Sequence, residues 1–206
     1  MTCGSRTLYL AETRECAYAE VLAYFRRRLG QADVLAKDAR FLGLDPASLS
    51  ALVEHEWSRR GHLPPGYLPA GWRAERSLYQ IRLPSSGWWV QLEHPESIAV
   101  AEVALEDDLA SVGVNQLDVA VLRGQNRDAT VLLASWLCGL TLDDDTTPLG
   151  IRYESRHATG IAWACWLREP TTGSAYVGAE ACAGEPIEIN DPDFQRVATR
   201  AGLTIC

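Results

Sequence analysis

Lysine is almost missing from this chain: Lys37 is the only one, beside many arginines. A GC-rich coding sequence produces that bias without any functional cause. Basic charge is scarce as a whole. Lys+Arg number 19 against 27 Asp+Glu, for a net charge of −8. That balance argues against general binding to nucleic acid or to an anionic membrane, both of which want a basic surface. Arg26-Arg27-Arg28 is the clearest basic patch, and a helix end favours such cations with no ligand present. No apolar run approaches membrane-spanning length, and the N-terminus carries no apolar signal segment. A cytoplasmic protein is therefore expected. The cysteines Cys3, Cys16, Cys138, Cys165, Cys182 and Cys206 show no CxxC spacing, and several sit in apolar runs. They read as buried free thiols rather than disulfides or zinc ligands. His55, His62, His94 and His157 show no HxxxH spacing, so no metal is expected. Also missing are a Gly-x-Gly-x-x-Gly turn, a P-loop and a Gly-x-Ser-x-Gly elbow. Rossmann, nucleotide-triphosphatase and α/β-hydrolase readings lose their usual support.

What is present fits one globular body. A chain of 206 residues with 47% hydrophobic and 22% charged residues is ordinary for one domain with a real core. Thr7–Ala11 reads as a short buried strand. Thr13 caps a helix whose residues Tyr18, Val21, Leu22, Phe25 and Leu29 share one face, with Gly30 as its end. Asp45-Pro46 starts a helix that runs to Arg60. His62–Trp72, rich in Pro and Gly, is a packed loop. Ser77–Leu83 and Trp88–Leu92 are expected as two strands around a Pro84–Gly87 turn. A helix from Asn126 or Asp128 through Leu140, strands at Gly150–Tyr153 and Gly160–Leu167, and an Asp191-Pro192 helix to Ala201 complete the pattern. Leu203–Ile205 is a candidate edge strand. Strands and helices mix without strict alternation, which points to a single α+β domain over residues 1–206 with a small, mostly antiparallel sheet and flanking helices.

Two places hold candidate chemistry. Glu20 has only Cys16, Ala17, Ala23 and Tyr24 at its helical i±3 and i±4 positions, so a local surface salt bridge does not explain it. A carboxylate among small side chains suits close approach of a ligand, although an exposed glutamate is the blander reading. Tyr153, Ser155 and His157 share one face of an extended segment, with Glu154 and Arg156 on the other. Here the blander reading is an exposed strand end. The acidic run Asp143–Asp145 lacks the pattern of a calcium loop and reads as a solvated turn.

Arg6-Thr7-Leu8-Tyr9-Leu10-Ala11, followed by Cys16-Ala17 and Glu20, resembles a segment of the RES-domain family. So does Gly150-Ile151-Arg152-Tyr153-Glu154-Ser155-Arg156, followed by an apolar strand ending at Trp166. The resemblance implies a fold like that of ADP-ribosyltransferases, with residues 31–71 as a helical and loop insertion. It implies an NAD-consuming toxin that breaks the nicotinamide–ribose bond and is neutralised by a cognate antitoxin. The enzyme would be a glycohydrolase, a phosphorolase or an ADP-ribosyltransferase, with NAD as substrate, no metal, and a homo-oligomer or a hetero-oligomer with the antitoxin as its assembly. It further implies Glu20 and Ser155 as catalytic residues, and Tyr9, Tyr153, Arg6 and Arg156 as NAD-binding ones. Tyr9 would meet the nicotinamide ribose, Glu20 the ribose hydroxyls or the cationic sugar, and Ser155 would complete the pocket. The chain departs from the family in two respects: where many members carry an Asn in the strand after the Ser motif it has Ala162 or a neighbour in an apolar run, and an expected arginine is missing. The family's arginine precedes the matching tyrosine at a position that falls at or before Met1. Either the true start lies upstream, or Arg6, Arg152 or Arg156 takes over the pyrophosphate, or the chain is a degenerate member that keeps only a non-catalytic interaction surface.

Overall fold

The computed structural model describes residues 6–27, 30–168 and 180–206. In chain order, β1 (Arg6–Ala11) leads into α1 (Arg14–Leu22) and a 3-10 turn (Ala23–Phe25). Next come α2 (Gln31–Leu42), α3 (Pro46–Arg59), β2 (Tyr67–Leu68), α4 (Gly71–Ala74), β3 (Ser77–Leu78), β4 (Ile81–Arg82) and β5 (Trp89–Val90). A helical run follows, with α5 (Pro95–Ala104), α6 (Glu106–Ser111), α7 (Val119–Leu122) and α8 (Arg127–Cys138). The rest is β6 (Gly150–Glu154), β7 (Ile161–Leu167), β8 (Glu180–Ala181), β9 (Glu185–Pro186), α9 (Pro192–Arg200) and β10 (Thr204–Ile205). Helix and strand are mixed, as the sequence pattern implies.

Two compact units share the chain: Met1–Ala17 with Gln80–Ala183, and Tyr18–Tyr79 with Gly184–Cys206. No linker composition marks the division, because each unit is assembled from two separated stretches.

The first unit is built on a sheet of order β1-β7-β6-β5. β1 and β6 both run antiparallel to β7, and β5 runs parallel to β6. The sheet is therefore mostly antiparallel, as expected. The β6–β7 register requires glycine at 150: a Cβ there would lie 2.1 Å from the Ala164 carbonyl oxygen and 2.8 Å from the Trp89 ring. On one face Val90, Ile151 and Trp166 pack with Leu105, Leu109, Leu133 and Leu137 from α5, α6, α8 and their junctions into one apolar core. Asn126 starts α8 as expected, its side chain accepting the Ala129 amide at 3.1 Å.

The hairpin expected around Pro84–Gly87 does not form. β4 pairs with β8 and β5 with β6 in the first unit, and β3 pairs with β9 in the second. Contacts at Trp88 tie this segment to a distant one: its carbonyl accepts the Leu149 amide at 2.8 Å, and its indole donates to Asp144 at 2.7 Å. Asp144 also accepts from the Thr146 amide, so the acidic run is a turn as the sequence suggested.

Aromatic packing dominates the second unit. Tyr18 meets Phe194 edge-on at 5.5 Å, Phe194 stacks with Trp72 at 6.2 Å, and Phe25 meets Trp72 edge-on at 6.4 Å. Asp191 caps α9 by accepting the Asp193 and Phe194 amides, and its second oxygen accepts the Tyr18 hydroxyl at 2.9 Å. β10 pairs in parallel with β2.

The helix expected to run from Thr13 to Gly30 does start at Thr13, whose hydroxyl accepts the Cys16 amide at 3.1 Å. It ends early, at Leu22. The Phe25 carbonyl accepts the Gly66 amide at 2.7 Å, and Arg26 is extended, so the backbone leaves the helical ladder there. Val21, expected in the core, is exposed, and Leu29 lies outside the described residues. The 31–71 stretch is mostly the α2–α3 pair, with Asp45 capping α3 through the Ala47 and Ser48 amides.

The cysteines need a correction. Cys16 and Cys165 are buried free thiols, while Cys182 and Cys206 are free but exposed. Cys138 is disulfide-bonded, and Cys3 lies outside the described residues. Among the described residues no helix is long and apolar enough to cross a membrane.

Candidate functional site

The two motif-bearing segments, far apart in sequence, become β1 and β6 on either side of β7. Tyr9 lies opposite Ala164, which lies opposite Ile151; Ala11 lies opposite Ala162, which lies opposite Tyr153. Paired residues share a sheet face, and so do residues two apart on a strand. Tyr9 and Tyr153 therefore flank a floor of two alanines on one face. Strand spacing and rise place their Cα atoms about 12 Å apart. That face is the one whose β5–β7 portion packs on the helices. Tyr9, on the edge strand, is 71% exposed, whereas Tyr153 is half-buried.

Ser155 lies just beyond β6, at the start of the turn into β7, and is 8% exposed. Its hydroxyl oxygen accepts the His157 and Ala158 amides, both at 3.1 Å. Its own amide donates to the Gly160 carbonyl at 3.0 Å. Gly160 has a φ of 141°, which favours glycine. On the other side of the turn, the Glu12 carboxylate accepts the Ile161 amide at 3.1 Å. Ser155 thus organises the turn that carries it.

Beside this turn is an ionic network that sequence reasoning missed. Arg123 donates to both oxygens of Glu93, at 2.7 and 2.8 Å, and to Glu154 at 2.9 Å. Glu93 also accepts the Glu154 amide at 3.4 Å. The Arg123 guanidinium holds the Glu93 carboxyl below the usual carboxylate range, helped by the Glu154 amide. The two carboxylates, Glu93 first, push the Arg123 pKa up in return. Nothing in the sequence flags Glu93 and Arg123 as partners. They lie on separate connections, and only the fold joins them.

Arg156 donates to the Arg123 and Gly124 carbonyls at 3.0 and 3.2 Å, just past the end of α7, so its guanidinium is engaged with backbone. Strand alternation puts Arg6 on the face opposite Tyr9. It is also five rows from Tyr153, about 17 Å along the strands. Arg152 is on that opposite face too, in the row of Leu10 and Trp163, and half-buried. Glu20 belongs to the second unit, half-buried on α1 between the core residues Tyr18 and Leu22. The structure therefore brings Tyr9 and Tyr153 onto one face of the sheet, leaves Ser155 in the turn after β6, separates Arg6 from that face, and gives Arg156 a structural partner. Among the described residues no group of His, Cys, Asp and Glu is arranged to hold a metal ion. No family model, no curated protein and no solved structure matches this chain.

Proposed function

We propose that the chain is an NAD-consuming enzyme of the RES type, with an ADP-ribosyltransferase-like fold, neutralised by a cognate antitoxin. One observation carries the reading: Tyr9 and Tyr153, from the two family-like segments, lie on one face of the same sheet on the strands flanking β7, with Ser155 just beyond the end of β6. Tyr9 and Tyr153 offer two aromatic walls over small alanines, which suits a planar ring and its ribose. In the proposed reaction the ribose C1′–nitrogen bond breaks, and nicotinamide leaves with the bonding electron pair as a neutral base. The sugar passes through an oxocarbenium-like state, as in glycoside cleavage. The family resemblance, rather than any contact in the fold, assigns Glu20 to that cation, because a fixed carboxylate favours developing positive charge over the ground state. An acceptor oxygen from water, phosphate or a protein side chain then bonds C1′ and loses its proton.

The test is purified chain with NAD, following released nicotinamide. Release that disappears in Tyr153→Ala and Glu20→Gln supports the reading. No release from folded protein with NAD in excess rejects it.

A second reading, a non-catalytic RES-like interaction module, is favoured by a specific observation. The Ser155 hydroxyl binds amides of its own turn and the Arg156 guanidinium binds the Arg123 and Gly124 carbonyls, which gives these residues a role without NAD. An anionic pyrophosphate is costly to hold without a cation. Inert, folded protein that still binds an antitoxin would be the result this reading expects.

A further inference from the structure

The α2–α3 pair carries an apolar surface that the NAD reading does not use. Phe41 is 91% exposed, Val34 59%, Leu42 57% and Leu44 38%. Val34 and Phe41 are seven residues apart, two helical turns, and so lie along one line of α2. Lys37 and Asp38 sit between them on the same exposed side. Among the described residues neither has a hydrogen-bond or ion-pair partner. The buried side of α2 is marked by Ala39, which is fully covered.

This order is self-complementary. A twofold axis between Lys37 and Asp38, with two copies of α2 antiparallel, sets Val34 of each copy against Phe41 of the other. The same operation sets Lys37 of each against Asp38 of the other, so two apolar contacts and two ion pairs arise together. An isologous contact has this property by definition. Val34, Phe41 and Leu42 of α2 with the following Leu44 offer at most on the order of 500 Å² per copy, or about 1,000 Å² if all were covered on both copies, close to the smallest specific interfaces. We propose that the exposed face of α2 docks on the same face of a second copy of this chain, forming an antiparallel, twofold dimer centred between Lys37 and Asp38. An interface near the lower size limit is expected to dissociate in the micromolar range.

The experiment is analytical ultracentrifugation of the full chain from about 1 to 100 µM, an interval bracketing micromolar dissociation. Phe41→Glu and, separately, Val34→Glu should each raise the dissociation constant about tenfold or more. Both residues project from the fold, and unchanged circular dichroism checks that folding is intact. Lys37→Asp sets like charges across the axis twice and should weaken the dimer. The double exchange Lys37→Asp with Asp38→Lys restores both ion pairs and should recover the dimer to within about threefold. Recovery of this kind is not expected from non-specific hydrophobic association. A chain that stays monomeric at 100 µM would leave the face to a protein of different sequence and overturn the proposal. So would a dimer indifferent to Phe41→Glu, or a double exchange no better than Lys37→Asp alone.

Discussion

Ser155 accepts two turn amides, and that fact separates its two proposed roles. Ser155→Ala removes both bonds and is expected to cost about 1–2 kcal/mol, as for loss of a capping hydroxyl. Urea unfolding measures that cost. If the residue also serves NAD cleavage, nicotinamide release should fall much further than the change in folded fraction explains. Glu20→Gln removes charge with little change of shape. It is expected to lower NAD turnover at least about a hundredfold, the usual effect of removing one electrostatic stabiliser, and by far more than any change in folded fraction explains. Equal turnover in the two proteins would remove Glu20 from the mechanism. The thiols give a test that is independent of function. Burial pushes the Cys165 thiol up and keeps it from thiolate chemistry. In native protein, Cys182 and Cys206 should react promptly with a thiol reagent, while Cys16 and Cys165 should wait for unfolding.

Among the elements, the β6–β7 turn depends on side chains from elsewhere in the first unit. Arg123 binds Glu93 with a two-pronged fork and reaches Glu154 with the same guanidinium. A lysine places one charge without that fork. Arg123→Lys is therefore expected to lose most of the contribution, about 1–2 kcal/mol after allowing for partial exposure. Hydrogen exchange of the 154–161 amides should speed up with it. The pH dependence follows from the same group. The folded-state pKa of Glu93 lies below its ordinary value of 4.5. Its contribution is therefore fully present above that value and is lost as pH falls through the lower, folded pKa. Glu93→Gln should flatten the acid limb of stability against pH. An unchanged acid limb would show that Glu93 contributes nothing there.

Across the whole molecule, both units are discontinuous in sequence. The second depends on Gly184–Cys206 for much of its core, since Phe194 is fully buried against Tyr18 and Trp72. Phe194→Ala should cost about 3–5 kcal/mol, as large-to-small core changes do. Hydrogen exchange should then quicken at Thr204 and Cys206, whose amides donate to Gly66 and Leu68. The β1–β7–β6 ladder of the first unit should keep its protection. Loss of protection in both places at once would show that the two units unfold together.

Local chemistry in the sequence determined where several elements begin. Asp45-Pro46, Asn126 and Asp191-Pro192 start α3, α8 and α9 because a capping oxygen and a fixed proline φ act over three residues. Short, largely apolar runs over Thr7–Ala11, Gly150–Tyr153 and Gly160–Leu167 likewise marked β1, β6 and β7, and the resemblance named Tyr9, Tyr153 and Ser155. Tertiary structure decided the rest. Beyond α1 and its 3-10 turn the chain goes extended at Arg26, where Gly66, more than forty residues on, takes the Phe25 carbonyl. The strands around Pro84–Gly87 pair elsewhere because the partners that complete their hydrogen bonds are distant in sequence. Arg156 looked free for a pyrophosphate, but its acceptors are the Arg123 and Gly124 carbonyls, which only folding brings near. Glu93 and Arg123 form a pair by the same route. A cap or a strand pattern acts between neighbours and is written in the chain. An ion pair or a sheet register is a contact between strangers, and closing the loop between them is the work of the whole fold.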